Sequence, residues 1–134
     1  MDAKTFSYPL VIKETYLDSF GHVNNAVYLS LFEEARWEFI SKNNYGLDKI
    51  KETNLGPTIL EINIKFKREI LARDQVIIES KLHSYEKKVG ILIQKILKED
   101  KECCIAEFKF GLFDTKERKL VSPTKEWMDA LGIV

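Results

Sequence analysis

Residues 18 to 25 read Asp18, Ser19, Phe20, Gly21, His22, Val23, Asn24, Asn25, so a carboxylate, a turn glycine, an imidazole and two carboxamides fall within eight positions. An apolar extended segment precedes this run and a strongly amphipathic one follows it, which places it between a strand end and a helix start. The first N–H groups of a helix lack intrahelical acceptors, and the helix dipole is positive there. That environment suits an anion or a developing oxyanion. A carboxylate beside such amides has the parts needed to cleave an acyl group from its carrier: a nucleophile or general base, and a donor for the carbonyl oxygen.

Each of these residues also has a plainer reading. An aspartate before a glycine turn commonly makes an Asx-turn or caps a helix. His22 lies four residues from Asp18, and imidazole is the side chain most easily set to titrate near neutrality. It could orient Asp18, hold a leaving thiolate, or hydrogen-bond the loop backbone. Asn24 and Asn25 could order the loop or contact an acyl group, and either is a suitable N-cap. At Asn25 the functional atom would be the main-chain N–H, which any non-proline residue supplies. Glu33 and Glu34 read most simply as solvent-facing.

The elements that must position these groups follow from periodicity. Tyr8 to Tyr16 alternates imperfectly and predicts a first strand, with a turn over Asp18 to Gly21. From Asn25 to Asn43 the period becomes helical, with Tyr28, Leu31, Phe32, Ala35 and Phe39 on one stripe and Glu33, Glu34, Trp37 and Glu38 opposite. Trp37, on the polar side, needs a cover from its own loop or from a second subunit. Glu33 has Arg36 and Trp37 at helical neighbour spacing. Residues 45 to 57 read as an irregular or short helical connector closed by Gly56-Pro57.

Thr58 to Arg68 alternates most clearly: Leu60, Ile62, Ile64 and Phe66 predict a buried face, and Glu61, Asn63, Lys65 and Lys67 a wet one. Gln75 to Tyr85, Gly90 to Lys98 and Glu102 to Phe113 follow as three further strands, joined by short charged turns. Ser122 and Pro123 could start a last short helix ending near Leu131. One strand, one buried helix and four antiparallel strands make an α+β domain in which the sheet curves around the helix.

With 134 residues and 45% apolar content, the chain fills one core, and a single domain over residues 1–134 is expected. Acidic and basic residues balance at 21 each, which disfavours nucleic-acid binding. No apolar run approaches the ~20 residues of a membrane span, and the MDAKTFSY start has no leader pattern, so a cytoplasmic protein is expected. Cys103 and Cys104 are strand neighbours, too strained for a mutual disulfide, and read as small apolar residues in a reducing compartment. His22 and His83 lie far apart in sequence and complete no metal-ligand pattern.

The segment TYLDSFGHVNNAVYLSLFEEARWEF, residues 15 to 39, resembles the signature of the hotdog-fold acyl-CoA thioesterases in the 4-hydroxybenzoyl-CoA thioesterase superfamily. It is nearest to the bacterial long-chain acyl-CoA thioesterase III group, through LD, HVNN, the tyrosine three residues on and FEEARWEF, with a looser collinear likeness to about residue 114.

The resemblance implies a hotdog fold, a curved five-stranded antiparallel sheet wrapped around one long central helix. It implies hydrolysis of an acyl-CoA to free acid and coenzyme A without metal or redox cofactor. Asp18 then takes the catalytic aspartate position and Asn25 supplies the carbonyl-polarising N–H; His22 stands beside them as a catalytic candidate from its spacing to Asp18, with a structural role in the loop as the alternative. Asn24, Tyr28, Phe32, Arg68 and Lys88 are the expected substrate contacts, the last two for the coenzyme A phosphates. Phe32, Phe39, Ile62 and Ile64 could line an acyl tunnel. In the family two subunits pair their sheets edge to edge with substrate at the interface, so a homodimer or dimer of dimers is expected.

Many relatives carry a second aspartate where this chain has Tyr16, which leaves Asp18 as the one carboxylate in the loop. In another hotdog branch the catalytic carboxylate lies on the helix, which keeps Glu33 and Glu34 as alternatives. Two other functions fit the same scaffold: an enoyl-CoA hydratase or dehydratase, and a non-hydrolytic acyl-CoA binding domain.

Overall fold

The computed structural model describes residues 2–134. The amphipathic run forms α1 (Asn25–Lys42), which buries Tyr28, Leu31, Phe32, Ala35, Phe39 and Ile40. This is the stripe that a 3.6-residue period selects, extended by Ile40. Before it comes β1 (Thr5–Val11), earlier and shorter than the alternation predicts. The strand stops because the chain ties itself to a neighbouring turn. The Ile12 N–H donates to the Asp74 carbonyl at 2.9 Å, and Ile12 accepts from the Arg73 N–H at 2.7 Å. Glu14–Tyr16 then forms a single 3-10 turn.

After α1 come α2 (Leu47–Thr53), β2 (Leu55–Phe66), β3 (Gln75–Glu86), β4 (Val89–Lys98), β5 (Lys101–Asp114), β6 (Lys119–Val121) and α3 (Lys125–Ala130). The strands form one antiparallel sheet in the order β1-β3-β4-β5-β2, with β6 pairing to β5. β6 is a sixth strand where five are expected. A polar turn creates it: Asp114 Oδ1 accepts from the N–H groups of Lys116 at 2.9 Å and Glu117 at 3.0 Å, and the chain folds back on Leu112–Asp114.

The core lies between α1 and one face of the sheet, where Ile78, Leu82, Leu92, Ile96, Ala106, Phe108 and Leu112 are buried. Cys103 and Cys104 are free thiols, both buried. α3 is capped by the Thr124 hydroxyl, not by Ser122, and buries Trp127.

β2 departs most from expectation. Its apolar face is open: Ile62 is 40% and Phe66 52% exposed. β2 is an edge strand, paired only with β5, and α1 covers it only in part. A bulge between Ile59 and Glu61 takes Leu60 out of register and sets Ile59 opposite Phe110. Ile59, Ile62, Ile64 and Phe66 therefore share the helix-facing side. Among the described residues, no helix is long and apolar enough to cross a membrane.

Candidate active site

The loop before α1 is closed at its base by a Leu17–Val23 bridge. Inside it the Asp18 N–H donates to the His22 carbonyl at 2.8 Å, and Gly21 turns at a φ of 81°, where a side chain is strained. The Val23 N–H reaches the Ile70 carbonyl at 3.3 Å, which anchors the loop to the segment following β2.

Asp18 uses its two carboxylate oxygens differently. Oδ1 accepts from the N–H groups of Phe20 at 2.8 Å and His22 at 3.2 Å. Oδ2 meets no protein donor among the described residues. Asn24 is the N-cap: its side-chain oxygen accepts from the Ala26 N–H at 2.9 Å and its carbonyl from the Val27 N–H at 2.9 Å. The Asn25 N–H, first of the helix, is left without an acceptor among the described residues. One cleft of about 460 Å³ is lined by Asp18, His22, Asn24, Asn25, Tyr28, Phe66, Lys67, Arg68 and Glu69.

The cleft thus gathers Asp18, His22, Asn24, Asn25, Tyr28 and Arg68 as expected. Tyr28 is buried and meets Phe66 edge to face at 4.9 Å. Burial, chiefly, and the neighbouring Cys104, Cys103 and Asp18 push its hydroxyl up to about 12, so it stays a neutral donor. Arg68 forms no ion pair among the described residues, whereas Lys67 is paired with Glu102 at 2.8 Å. Phe32 is fully buried against Phe108 and does not line the cleft. Lys88 sits in the β3–β4 turn, at the end of the sheet away from Phe66 and the cleft.

Sequence reasoning missed two features. Glu69 pairs with His22, Oε2 to Nε2 at 2.8 Å, a contact with no local signal because the two residues come from different connections. Arg36, which the helical spacing pairs with Glu33, turns instead toward the sheet. Its Nη1 donates to Gln94 Oε1 at 2.9 Å and its guanidinium lies 4.5 Å from the centre of the Phe108 ring. Glu33 and Glu34 are exposed, and Glu34 accepts from the Tyr8 hydroxyl at 2.5 Å. Trp37 is half-buried and, with Arg36, lines a second cavity of about 80 Å³ between α1 and β2.

A family model described as the thioesterase-like superfamily matches residues 13–131. The chain belongs to this superfamily. It is 31% identical over 122 residues to the long-chain acyl-CoA thioesterase FadM of Escherichia coli, which covers 90% of this chain and 92% of that one. Among solved structures, the YbaW probable thioesterase of Escherichia coli aligns with a TM-score of 0.83 at 29% identity, over 93% of this chain and 95% of that one. A Staphylococcus aureus protein solved in complex with CoA aligns with a TM-score of 0.88 over 97% of this chain and 83% of that one; at 16% identity it shows a common fold. The sheet with α1 across one face is the hotdog architecture of these thioesterase-like proteins.

Proposed function

We propose that the protein hydrolyses an acyl-CoA thioester to the free acid and coenzyme A, with the reaction centred on Asp18 and the Asn25 N–H. The observation that carries this reading is that one cleft is lined both by Asp18, one of whose carboxylate oxygens has no protein donor, and by Asn25, whose helix N-terminal amide is unpaired among the described residues. A thioester carbonyl seated on the amide has its developing negative charge stabilised there, reinforced by the positive helix end. Attack comes from Asp18 Oδ2, giving an acyl-enzyme anhydride that water then opens, or from a water that Asp18 deprotonates. In both routes the C–S bond breaks, the thiol of coenzyme A leaves, and the water oxygen ends in the acid.

The remaining groups take supporting roles. His22, held by Glu69, positions the loop that carries Asp18. Asn24 keeps the helix start in place, and Tyr28 with Phe66 forms an apolar wall for the acyl group. Arg68, exposed and unpaired at the rim, is the phosphate contact; Lys88 falls outside the single-chain site. The free edge of β2 is where a second copy of the chain would pair, bringing its own apolar face against the substrate.

The test is coenzyme A release, followed with a thiol reagent over a panel of acyl-CoA chain lengths, in the wild type and Asp18→Asn. Asparagine keeps the Oδ1 acceptor that organises the loop and loses the anionic oxygen. Turnover is therefore expected to fall roughly a hundred- to ten-thousand-fold with the fold retained. An undiminished rate in the variant removes Asp18 from the mechanism. Hydration of an enoyl-CoA without thiol release would identify a hydratase instead.

A further inference from the structure

The cavity between α1 and β2 is apolar except at two side chains. Phe39, Ile40, Pro57, Ile59, Leu92 and Phe108 form most of its wall, and Arg36 and Glu33 are the charged groups on it. Ile59, 38% exposed, and Glu33 stand at its open side. From there Ile62, the half-buried Ile64 and Phe66 continue along the helix-facing side of β2 to the Asp18 cleft, an apolar strip that α1 covers only in part, with Tyr28 meeting Phe66. Along the helix, Arg36 lies eleven residues beyond Asn25, a separation of about 16 Å at ~1.5 Å per residue.

Arg36 is held in this cavity by neutral groups. Gln94 is fully buried, and its amide nitrogen donates to the Phe32 carbonyl at 3.1 Å and the Ser80 hydroxyl at 2.8 Å. With both amide hydrogens committed, its oxygen must face Arg36. The guanidinium has one hydrogen bond, to that oxygen, and one face on Phe108. Its polar partner among the described residues is the neutral Gln94, and burial lowers its pKa to about 10 even though nearby Glu33 opposes the shift. A guanidinium has five N–H donors in a planar fork. Here one is used by the protein and the group is already oriented.

A wall built solely for a hydrocarbon chain would gain nothing from a charge that costs desolvation. We propose that this cavity is a subsite for the distal part of the acyl group and that Arg36 selects acyl chains carrying an oxygen substituent remote from the thioester, a hydroxyl or a carboxylate. The thioester end occupies the Asp18 cleft, the methylene run lies on Phe66, Ile64 and Ile62, and the oxygen meets the free donors of the guanidinium. This assignment rests on the thioesterase reading for what the acyl group is. Its test has one arm that needs no turnover.

In the first arm, kcat/KM is compared for plain, ω-hydroxy and ω-carboxy acyl-CoA substrates over a ladder of matched lengths, in wild type and Arg36→Met. At the best-fitting length the oxygenated substrate is expected to be preferred by about ten-fold or more, as suits a hydrogen bond to a charged donor. In Arg36→Met the preference is expected to collapse.

In the second arm, the corresponding free acids are titrated against the wild type and Arg36→Met, with binding read by calorimetry. A wild-type preference for plain chains, or an oxygen preference that survives in Arg36→Met, overturns the proposal. If Arg36→Met does not fold, the wild-type binding order decides: tighter binding of the oxygenated acid supports the subsite, and equal or weaker binding overturns it. Absence of hydrolysis alongside a retained binding preference counts against the thioesterase reading alone.

Discussion

At Asp18 the turn-forming and the reactive readings of an aspartate coexist in one side chain. Oδ1 is committed to two loop amides, Oδ2 has no protein donor among the described residues, and the side chain lines the cleft. At Asn25 the proposed group is backbone, so side-chain truncation is a poor probe. Proline is a better one. Asn25 is the first helical residue, where proline is tolerated, and Asn24 before it is extended (φ −61°, ψ 137°), as a residue preceding proline prefers. Asn25→Pro should therefore delete the N–H while keeping the helix. It is expected to lower kcat roughly a hundred- to a thousand-fold, whereas Asn25→Ala, which retains the N–H, should lose far less. Steady-state kinetics with circular dichroism checks both; equal losses would take the amide out of the reaction. The Asp18 loop was legible because its residues are consecutive. The Glu69 partner of His22 was not, because that contact depends on how the segment after β2 packs against the loop.

At the scale of elements, the helical stripe and the hairpin strands were readable because their signals are periodic and local. Tyr28, Leu31, Phe32, Ala35 and Phe39 are all buried as spaced. β2 was misread for a physical reason: alternation reports which residues share a face, not whether another element covers that face. The open end of β2 is braced by charge. The Glu102 carboxylate sits between Lys67 Nζ at 2.8 Å and Lys95 Nζ at 2.9 Å, joining β4, β5 and the residue just past β2. The hydrogen bond from Lys67 and then that from Lys95 lower its pKa from 4.5 to about 2. A carboxyl depressed in the folded state stabilises the fold above its unfolded pKa and loses that contribution as pH falls through the folded value. Because solvent screens the cluster, the wild-type advantage over Glu102→Gln should be at most about 1 kcal/mol. It should be present in full above about pH 5 and gone by about pH 2. Urea unfolding across that range checks it, and a difference constant with pH would contradict the pairing.

At the scale of the molecule, β2 leaves a twelve-residue edge with no partner on one side. It exposes Ile59, Leu60, Ile62 and Phe66, while its charged residues Glu61 and Lys65 alternate with the helix-facing Ile62, Ile64 and Phe66. A second copy pairing there would cover the strip between the Asp18 cleft and the Arg36 cavity. Light scattering is expected to give at least a dimer for the wild type and a monomer for Ile62→Lys, with secondary structure unchanged. A monomeric wild type at full turnover would rule the pairing out as a requirement.

Sequence alone determined what neighbouring residues settle between themselves: the Asp18 turn, an asparagine cap at the start of α1, the helix stripe and the alternating strands. These depend on backbone geometry over a few residues. Tertiary structure decided which of those groups share a space. Packing set Phe66, Arg68 and Glu69 beside Asp18, left β2 half-covered, sent Lys88 to the far end of the sheet, and turned Arg36 inward onto Gln94. Those outcomes come from register, from the reach of one helix over a six-stranded sheet, and from contacts between residues distant in sequence, none of which local spacing encodes.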